Sequence, residues 1–345
     1  MEKPPGGNPT ATFLNSIPLV ELPQKEIVSV AKKIFNGVSK DLMFKVETDL
    51  EKCHELWEIF SPKKTLFDLW NFRLAFWKGY HFDPYFITLS FQGKPISVLP
   101  LWFDSEDKQY SWFGGNWPEE NKFFTTMEST VPLLLKLIPG KAKLQCISPQ
   151  VGITDQPKIF AVDEEKYVLP IENFKTMDDY WATLKKKKRY NLKRDFKRIE
   201  ALNPQTVYND FSHLENLFKL NISRFDGMVL DDGKSTFLPK EKQVVFREIV
   251  KLAGDYQVRM ISTLIKNKIV AVDLVVLYNR TYYCLAGGCD VGDYSGLGSF
   301  ANLQLIKDAI SLGEMKAVDF LQGDLNWKSS WRSLPNPLFK FEKEE

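Results

Sequence analysis

The stretch TYYCLAGGCDVGDYSGLGSFANLQLIKDAISLGEMKAVDFLQGDLNWKSSW, residues 281–331, decides how this chain is read. It opens on a strand-like run, TYYCLAGGC, and passes through a glycine-bearing loop. An apolar helical pattern from Phe300 to Leu312 comes next and is stopped by Gly313, before a second strand, MKAVDFL, and the tail DLNWKSSW. At Gly296 and Gly298 the missing Cβ atoms let backbone N–H groups approach a ligand closely, and a helix N-terminus carries partial positive charge. The strand, glycine loop and helix together suit a phosphate.

Outward from this block the pattern is regular. YQVRMISTLIK and KIVAVDLVVLY, turned at Asn267-Lys268, join TYYCLAGGC through Asn279-Arg280 and predict three antiparallel strands. Helices are expected ahead of them over Met177–Ala201, Phe211–Phe225 and Lys240–Ala253, the last capped by Gly254. The first half shows the same order more faintly. CHELWEIF and TLFDLWNFRLAFW read as helices, PYFITLSFQ and KPISVLPLWFD as a hairpin about Gly93-Lys94, and KQYSWFGG as a third strand with no clear helix after Gly114-Gly115. The expected organisation is a Pro/Gly-rich leader (1–40), a first lobe (41–170) and a second lobe carrying the glycine loop (171–345).

The glycine loop admits other readings. Gly296, Gly298 and Ala301 satisfy the dinucleotide pattern G-x-G-x-x-A, with Asp319 about 20 residues on. Antiparallel strands ahead of the loop, and only 26 residues after Asp319, count against the parallel sheet such a site needs. The plainest alternative is that the glycines only turn the chain into its helix.

Four segments, KKRYNLKRDFKRIE from Lys187, SRFDG from Ser223, GKSTF from Gly233 and the 281–331 block, carry a resemblance to the GNAT acyltransferase superfamily. More closely the chain resembles the Fem-type and CelD-like (BioF-like) branch, over about Leu56 to Trp331. The resemblance implies an α/β fold of tandem GNAT-like lobes with mixed, mainly antiparallel sheets. It implies transfer of an acyl group from acyl-CoA to an amine of a small molecule or of a cell-envelope or sugar precursor. A Fem-type aminoacyl-tRNA donor is the alternative, and an inactive GNAT scaffold binding RNA or a protein partner is the non-enzymatic one. The donor's phosphates would meet Ser295, Gly296, Leu297, Gly298 and Ser299. Asp293 stands where the family's loop carries Arg or Gln. In the tail, Lys328 is expected to stabilise charge at the acyl carbonyl and Asp324 to orient it or to accept the amine proton, with Trp327 beside the acceptor.

The whole chain has 46 Lys and Arg against 44 Asp and Glu, a net charge of +2. Yet residues 185–198 hold nine cations and one acid, Asp195. Leu184, Lys188, Leu192, Phe196 and Ile199 share one helical face, which turns Arg189, Lys193 and Arg194 outward as a phosphate-binding surface for the donor or for tRNA. Arg224 is expected to hold an acceptor carboxylate, and Tyr283 and Asp273 to point into the cleft. Trp112, Phe113 and Trp117 form an aromatic cluster expected mainly in a core.

Composition excludes several classes. With 44% hydrophobic and 14% aromatic residues the chain can build large cores, so disorder is not expected. No apolar run approaches the roughly 20 residues of a membrane helix, and no apolar segment follows the basic start. Cys53, Cys146, Cys284 and Cys289 and the three histidines lack metal-ligand spacing, so a cytoplasmic, metal-free protein without tightly bound cofactor is expected.

Overall fold

A computed structural model describes residues 42–125, 130–150, 153, 158–225, 235–324 and 327–344. The leader read in residues 1–40 lies outside them, as do SRFDG beyond Phe225 and GKSTF up to Lys234.

The first sheet is built from β1 (Leu42–Glu47), β2 (Asp83–Phe91), β3 (Lys94–Asp104), β4 (Gln109–Trp112), β5 (Phe124–Thr125), β6 (Ala142–Ile147) and β7 (Ala161–Val162). Helices α1 (Leu50–Phe60) and α2 (Trp70–Tyr80) lie between β1 and β2, and α3 (Val131–Lys136) between β5 and β6. The second unit runs β8 (Lys166–Pro170), α4 (Met177–Thr183), α5 (Lys186–Glu200), β9 (Gln205–Tyr208), α6 (Leu214–Phe225) and α7 (Lys240–Lys251). It continues with β10 (Gln257–Ile265), β11 (Lys268–Tyr278), β12 (Thr281–Cys289), α8 (Leu297–Ser311), β13 (Ala317–Gln322) and β14 (Leu334–Asn336), and the chain closes on β15 (Phe339–Lys343).

The strand orders β1-β2-β3-β4-β6-β15-β7 and β14-β8-β13-β12-β11-β10-β9 show one plan used twice. Three antiparallel strands, β2 to β4 or β10 to β12, are followed by a parallel neighbour, β6 or β13. The helix missing from the first half of the sequence pattern is α3, only six residues long, where the second unit has the fifteen-residue α8. The strands do not divide at residue 170. β8 pairs with β13 in the second sheet, and β15, from the C-terminus, pairs with β6 and β7 in the first.

Other elements shift by small amounts for local reasons. The hairpin turns are centred one residue earlier than expected, on Gln92-Gly93 (φ 50° and 74°) and Lys266-Asn267 (51° and 61°), the left-handed pairs that a two-residue loop requires. The helix expected over Met177–Ala201 breaks at Leu184 (ψ 143°) into α4 and α5. α7 ends at Leu252 without using Gly254 as a left-handed cap.

A single apolar core joins the halves: Trp57, Phe67, Phe72 and Phe76 from the first pack with Phe218, Phe237, Phe246, Val272 and Leu285 of the second. Gly79 of α2 permits the close crossing on α7, because a Cβ there would lie 2.8 Å from the Glu241 carbonyl oxygen. The opposite face of the second sheet is covered by α4, α5 and α8 through Tyr180, Trp181, Leu192, Leu303 and Ile306.

Candidate active site

β12 and β13 are hydrogen-bonded only from Thr281–Tyr283 against Ala317–Asp319, and beyond that point they splay. Both strands are irregular where they part: the β11–β12 register slips between Leu274 and Val275, and the β13–β8 register between Asp319 and Gln322. Leu321 takes a left-handed φ of 65°, unusual for a branched side chain, and the Asp319 carboxylate holds its N–H at 2.9 Å. The gap opens a cleft of about 520 Å³ lined by Cys284–Cys289 of β12 and Phe320–Gln322 of β13. On β13 the groups released by the splay are taken by side chains, the Leu321 N–H by Asp319 and the Leu321 and Gln322 carbonyls by Lys328, while β12 beyond Tyr283 has no strand paired on that side among the described residues.

The cleft has walls on both faces of the sheet. On the α8 side lie Lys188, Asp273, Cys284, Gly298, Ser299, Trp327 and Trp331, and on the interlobe side Trp117, Glu119, Asn221 and Arg224. Gly287 and Gly288 set its width. A Cβ at Gly287 would collide with the Asp273 carboxylate, and one at Gly288 would come within 2.7 Å of the Leu217 carbonyl and 2.8 Å of the Asn221 N–H nitrogen in α6. Asn221 reinforces that contact by donating to the Gly287 carbonyl at 2.8 Å.

Lys328 enters from the tail, 4% exposed, and its ammonium donates to the carbonyls of Leu321 (3.1 Å) and Gln322 (2.6 Å). Burial pulls its pKa down against the nearby Glu119 and Asp319. Two of three donors are committed, and the third is available to the cleft. Asp324 makes no side-chain hydrogen bond to this ammonium among the described residues: its carboxylate accepts from the Ser329 N–H and hydroxyl, both at 2.8 Å, and so caps the turn that carries Lys328. Burial pushes Asp273 up to about 7 in spite of Arg224.

The glycine loop divides. Gly298 and Ser299 reach the cleft at the start of α8, whereas Leu297 is fully buried and Ser295 accepts from the Arg198 guanidinium at 3.0 Å. Gly296 is needed for its φ of 93° and because a Cβ would lie 3.2 Å from that of Asp195 on α5. Asp293 is turned away and paired with Lys268 at 3.3 Å. Of the basic helix, Lys188 lines the cleft and lies over Trp331, while Arg189 donates to the Trp181 carbonyl, Lys193 lies over the Trp181 ring and Arg194 pairs with Asp195. Tyr283 is absent from the cleft. It is 3% exposed on the opposite face, stacked edge-on against Phe67, its hydroxyl accepting from the Leu66 N–H. Trp112 and Phe113 are core residues, and Trp117 is a cleft wall packed on Phe76 and Phe246.

The sequence reading missed the buried charges contributed by the first lobe. Lys166 of β8 binds Glu120 at 2.5 Å and Asp319 at 2.6 Å, and Lys122 binds Asp68 at 2.9 Å, so a chain of ion pairs crosses between the sheets. Next to it the Glu119 carboxylate accepts the Gln322 N–H, and burial together with Asp319 pushes it up to about 8. A Glu-Glu pair in a loop carries no periodic signal. The nearest clue was the flanking of these acids by Trp117 and Phe123.

These features define an α/β fold in which one plan is used twice, with a cleft where β12 and β13 part. Residues 186–329 match the sequence model of an acetyltransferase (GNAT) domain, which spans the cleft from α5 to Lys328. No curated protein sequence matches the chain significantly. Among solved structures, FemX superposes with a TM-score of 0.55 at 12% identity, over 87% of this chain and 97% of that one. A conserved protein of unknown function from Bacteroides thetaiotaomicron gives 0.51 at 13% identity, over 87% and 99%. L-PGS from Bacillus licheniformis gives 0.52 at 11%, over 87% and 93%. At such identities the likeness is one of fold, and it extends through both lobes.

Residues 186–329 are thus similar to a GNAT acetyltransferase domain, and the two lobes together share the fold of FemX. Among the described residues no His, Cys, Asp and Glu cluster could hold a metal, and no helix is long and apolar enough to cross a membrane.

Proposed function

We propose that the protein transfers an acyl group from acyl-CoA to the amine of a small molecule or sugar-type precursor, within the cleft between β12 and β13. The observation that carries this reading is the splay itself. The edge of β12 beyond Tyr283, with no described strand paired to it on that side, suits the amides of an extended thioester arm, while the N–H groups at the start of α8, around Gly298 and Ser299, suit that arm's phosphates. Bound there, the donor would present its carbonyl toward Lys328, whose third N–H stabilises the oxyanion that forms as the amine attacks. Lys188, drawn below its ordinary pKa by burial, adds positive charge on the donor side.

One observation favours a second donor, aminoacyl-tRNA. Lys186, Lys187, Lys193 and Lys197 on α5 have no carboxylate partner among the described residues, and Tyr190 stands 69% exposed between them. A row of cations without carboxylate partners beside an exposed ring suits a nucleic acid backbone and a stacked base.

Thermal unfolding with CoA, acetyl-CoA and tRNA separates the donors, because a ligand of the native state raises Tm by mass action. A response to CoA and acetyl-CoA is expected, with turnover falling of order 100-fold in Lys328→Ala. A response to tRNA alone, weakening as salt rises, replaces the first reading by the second. A response to none leaves the cleft without a donor and refutes both.

A further inference from the structure

We propose that Glu119, supplied by the first lobe, is the base that takes the proton from the attacking amine, so that the acceptor enters the cleft from the interlobe side. This rests on the acyl-transfer reading above. A donor laid along α8 occupies one face of the splayed sheet, and the nucleophile must reach the carbonyl from the other. Trp117, Glu119, Asn221 and Arg224 wall that other side, and Glu119 and Arg224 are its charged members.

The position of Glu119 is fixed by the same peptide that fixes Lys328. One carboxylate oxygen accepts the Gln322 N–H, while the Gln322 carbonyl accepts from the Lys328 ammonium at 2.6 Å. Oxyanion donor and base are therefore held on opposite ends of one residue, at the bulge where β13 leaves β12. The second carboxylate oxygen has no hydrogen-bond partner among the described residues. The charged and titratable groups facing Glu119 are Asp319 of β13, Lys328 of the tail, Lys166 of β8 and Cys146 of β6. Lys166 is already claimed by Glu120 and Asp319, so Lys328 is the cation left to balance Glu119.

The step balances without a further reactant. The amine nitrogen attacks the acyl carbon, a C–N bond forms, and the carbonyl electron pair moves to oxygen beside Lys328. The surplus N–H proton passes to Glu119. The oxyanion pair then returns to re-form the carbonyl as the C–S bond breaks, its electron pair leaves with sulfur, the thiolate takes up a proton from solvent as CoA departs, and Glu119 releases its own proton to solvent.

Asp273 is the other cleft carboxylate, close enough to Cys284 and Arg224 to act on both, so it is the rival base. The test therefore compares Glu119→Gln with Asp273→Asn, using acetyl-CoA as donor and two probe acceptors, glucosamine and hydroxylamine. Glutamine still accepts the Gln322 N–H, so urea unfolding is expected to match the parent chain. For glucosamine, kcat/KM is expected to fall about 100-fold in Glu119→Gln. Once the titration of the glucosamine amine itself is divided out, the remaining rise of kcat with pH, centred near 8 in the parent chain, is expected to disappear. Hydroxylamine, uncharged at neutral pH and with a more acidic N–H, should be spared most of that loss, and CoA should still raise Tm. Retention of the pH limb in Glu119→Gln, or its loss in Asp273→Asn alone, overturns the proposal. Equal loss with both acceptors assigns Glu119 a structural part and also overturns it. No transfer by the parent chain to either amine removes the acyl-transfer reading, and this inference with it.

Discussion

Replacing Lys166 with methionine is expected to cost about 3–5 kcal/mol, the range for removing one member of a buried ionic cluster. The lysine is 4% exposed and lies between two carboxylates, Glu120 at 2.5 Å and Asp319 at 2.6 Å, of which Asp319 is 1% exposed. Burial alone would lower the Lys166 pKa, yet the two carboxylates more than reverse it, so the ammonium is held strongly charged. Methionine fills similar volume and keeps the apolar stem, so the loss measures the stranded carboxylates and not a cavity. Spread over the unfolding entropy of a 345-residue chain, the same loss lowers Tm by about 4–7 °C. Urea unfolding followed by tryptophan fluorescence reads it directly, and the core shared by both halves predicts one transition in parent and variant. Adding Asp319→Asn to Lys166→Met should recover part of the loss, because one stranded charge is gone. A single-variant loss below about 1 kcal/mol, the range of solvent-screened pairs, would refute the claim that this chain of charges ties the lobes.

Asp324→Ala should lower stability by about 1 kcal/mol, the cost of a lost cap, and leave turnover within a few-fold of the parent chain. A drop like that of Lys328→Ala would return Asp324 to the chemistry. Lys242 is 9% exposed among Phe76, Tyr80 and Trp117, with its nitrogen 5.2, 5.6 and 5.2 Å from the ring centroids, and burial pulls its pKa down to about 7. Protonation is then disfavoured in the folded state, so the stability present above the unfolded lysine's pKa is lost as pH falls toward 7. Lys242→Met should flatten that slope between pH 7 and 10 in urea titrations, and an unchanged slope would show that the cage does not set it.

What the sequence made legible is the part governed by local rules. β11 and β12 fall on the expected residues, because alternation and left-handed turn pairs act within a few positions. Tyr283 was misplaced by strand parity. It points to the interlobe core while Cys284, one residue on, lines the cleft, and no periodic pattern tells which face of a doubly covered strand holds the site. Asp319 sits at the spacing of a ribose-binding acid, but the structure spends its carboxylate on Lys166 and the Leu321 N–H. That pairing joins residues more than 150 positions apart, a distance over which composition carries no information. The crossing of β15 into the first sheet was illegible for the same reason.

The exchange of strands explains how the first lobe comes to line a cleft built mainly by the second. β8 lies in the second sheet, yet it follows directly on the first lobe, and its Lys166 grips Glu120 of that lobe. β15 returns the chain to the first sheet only eight residues beyond Trp331. The loop bearing Glu119 and Glu120 and the tail bearing Lys328 are therefore pinned from both ends, with Gln322 between them bonded to both sites. If the lobes were independent domains on a linker, Glu119 could drift from Lys328 and its burial would end. With a continuous apolar core and ion pairs across the seam, Glu119 and Lys328 keep one geometry, which is what their proposed roles as base and oxyanion donor require of the first lobe.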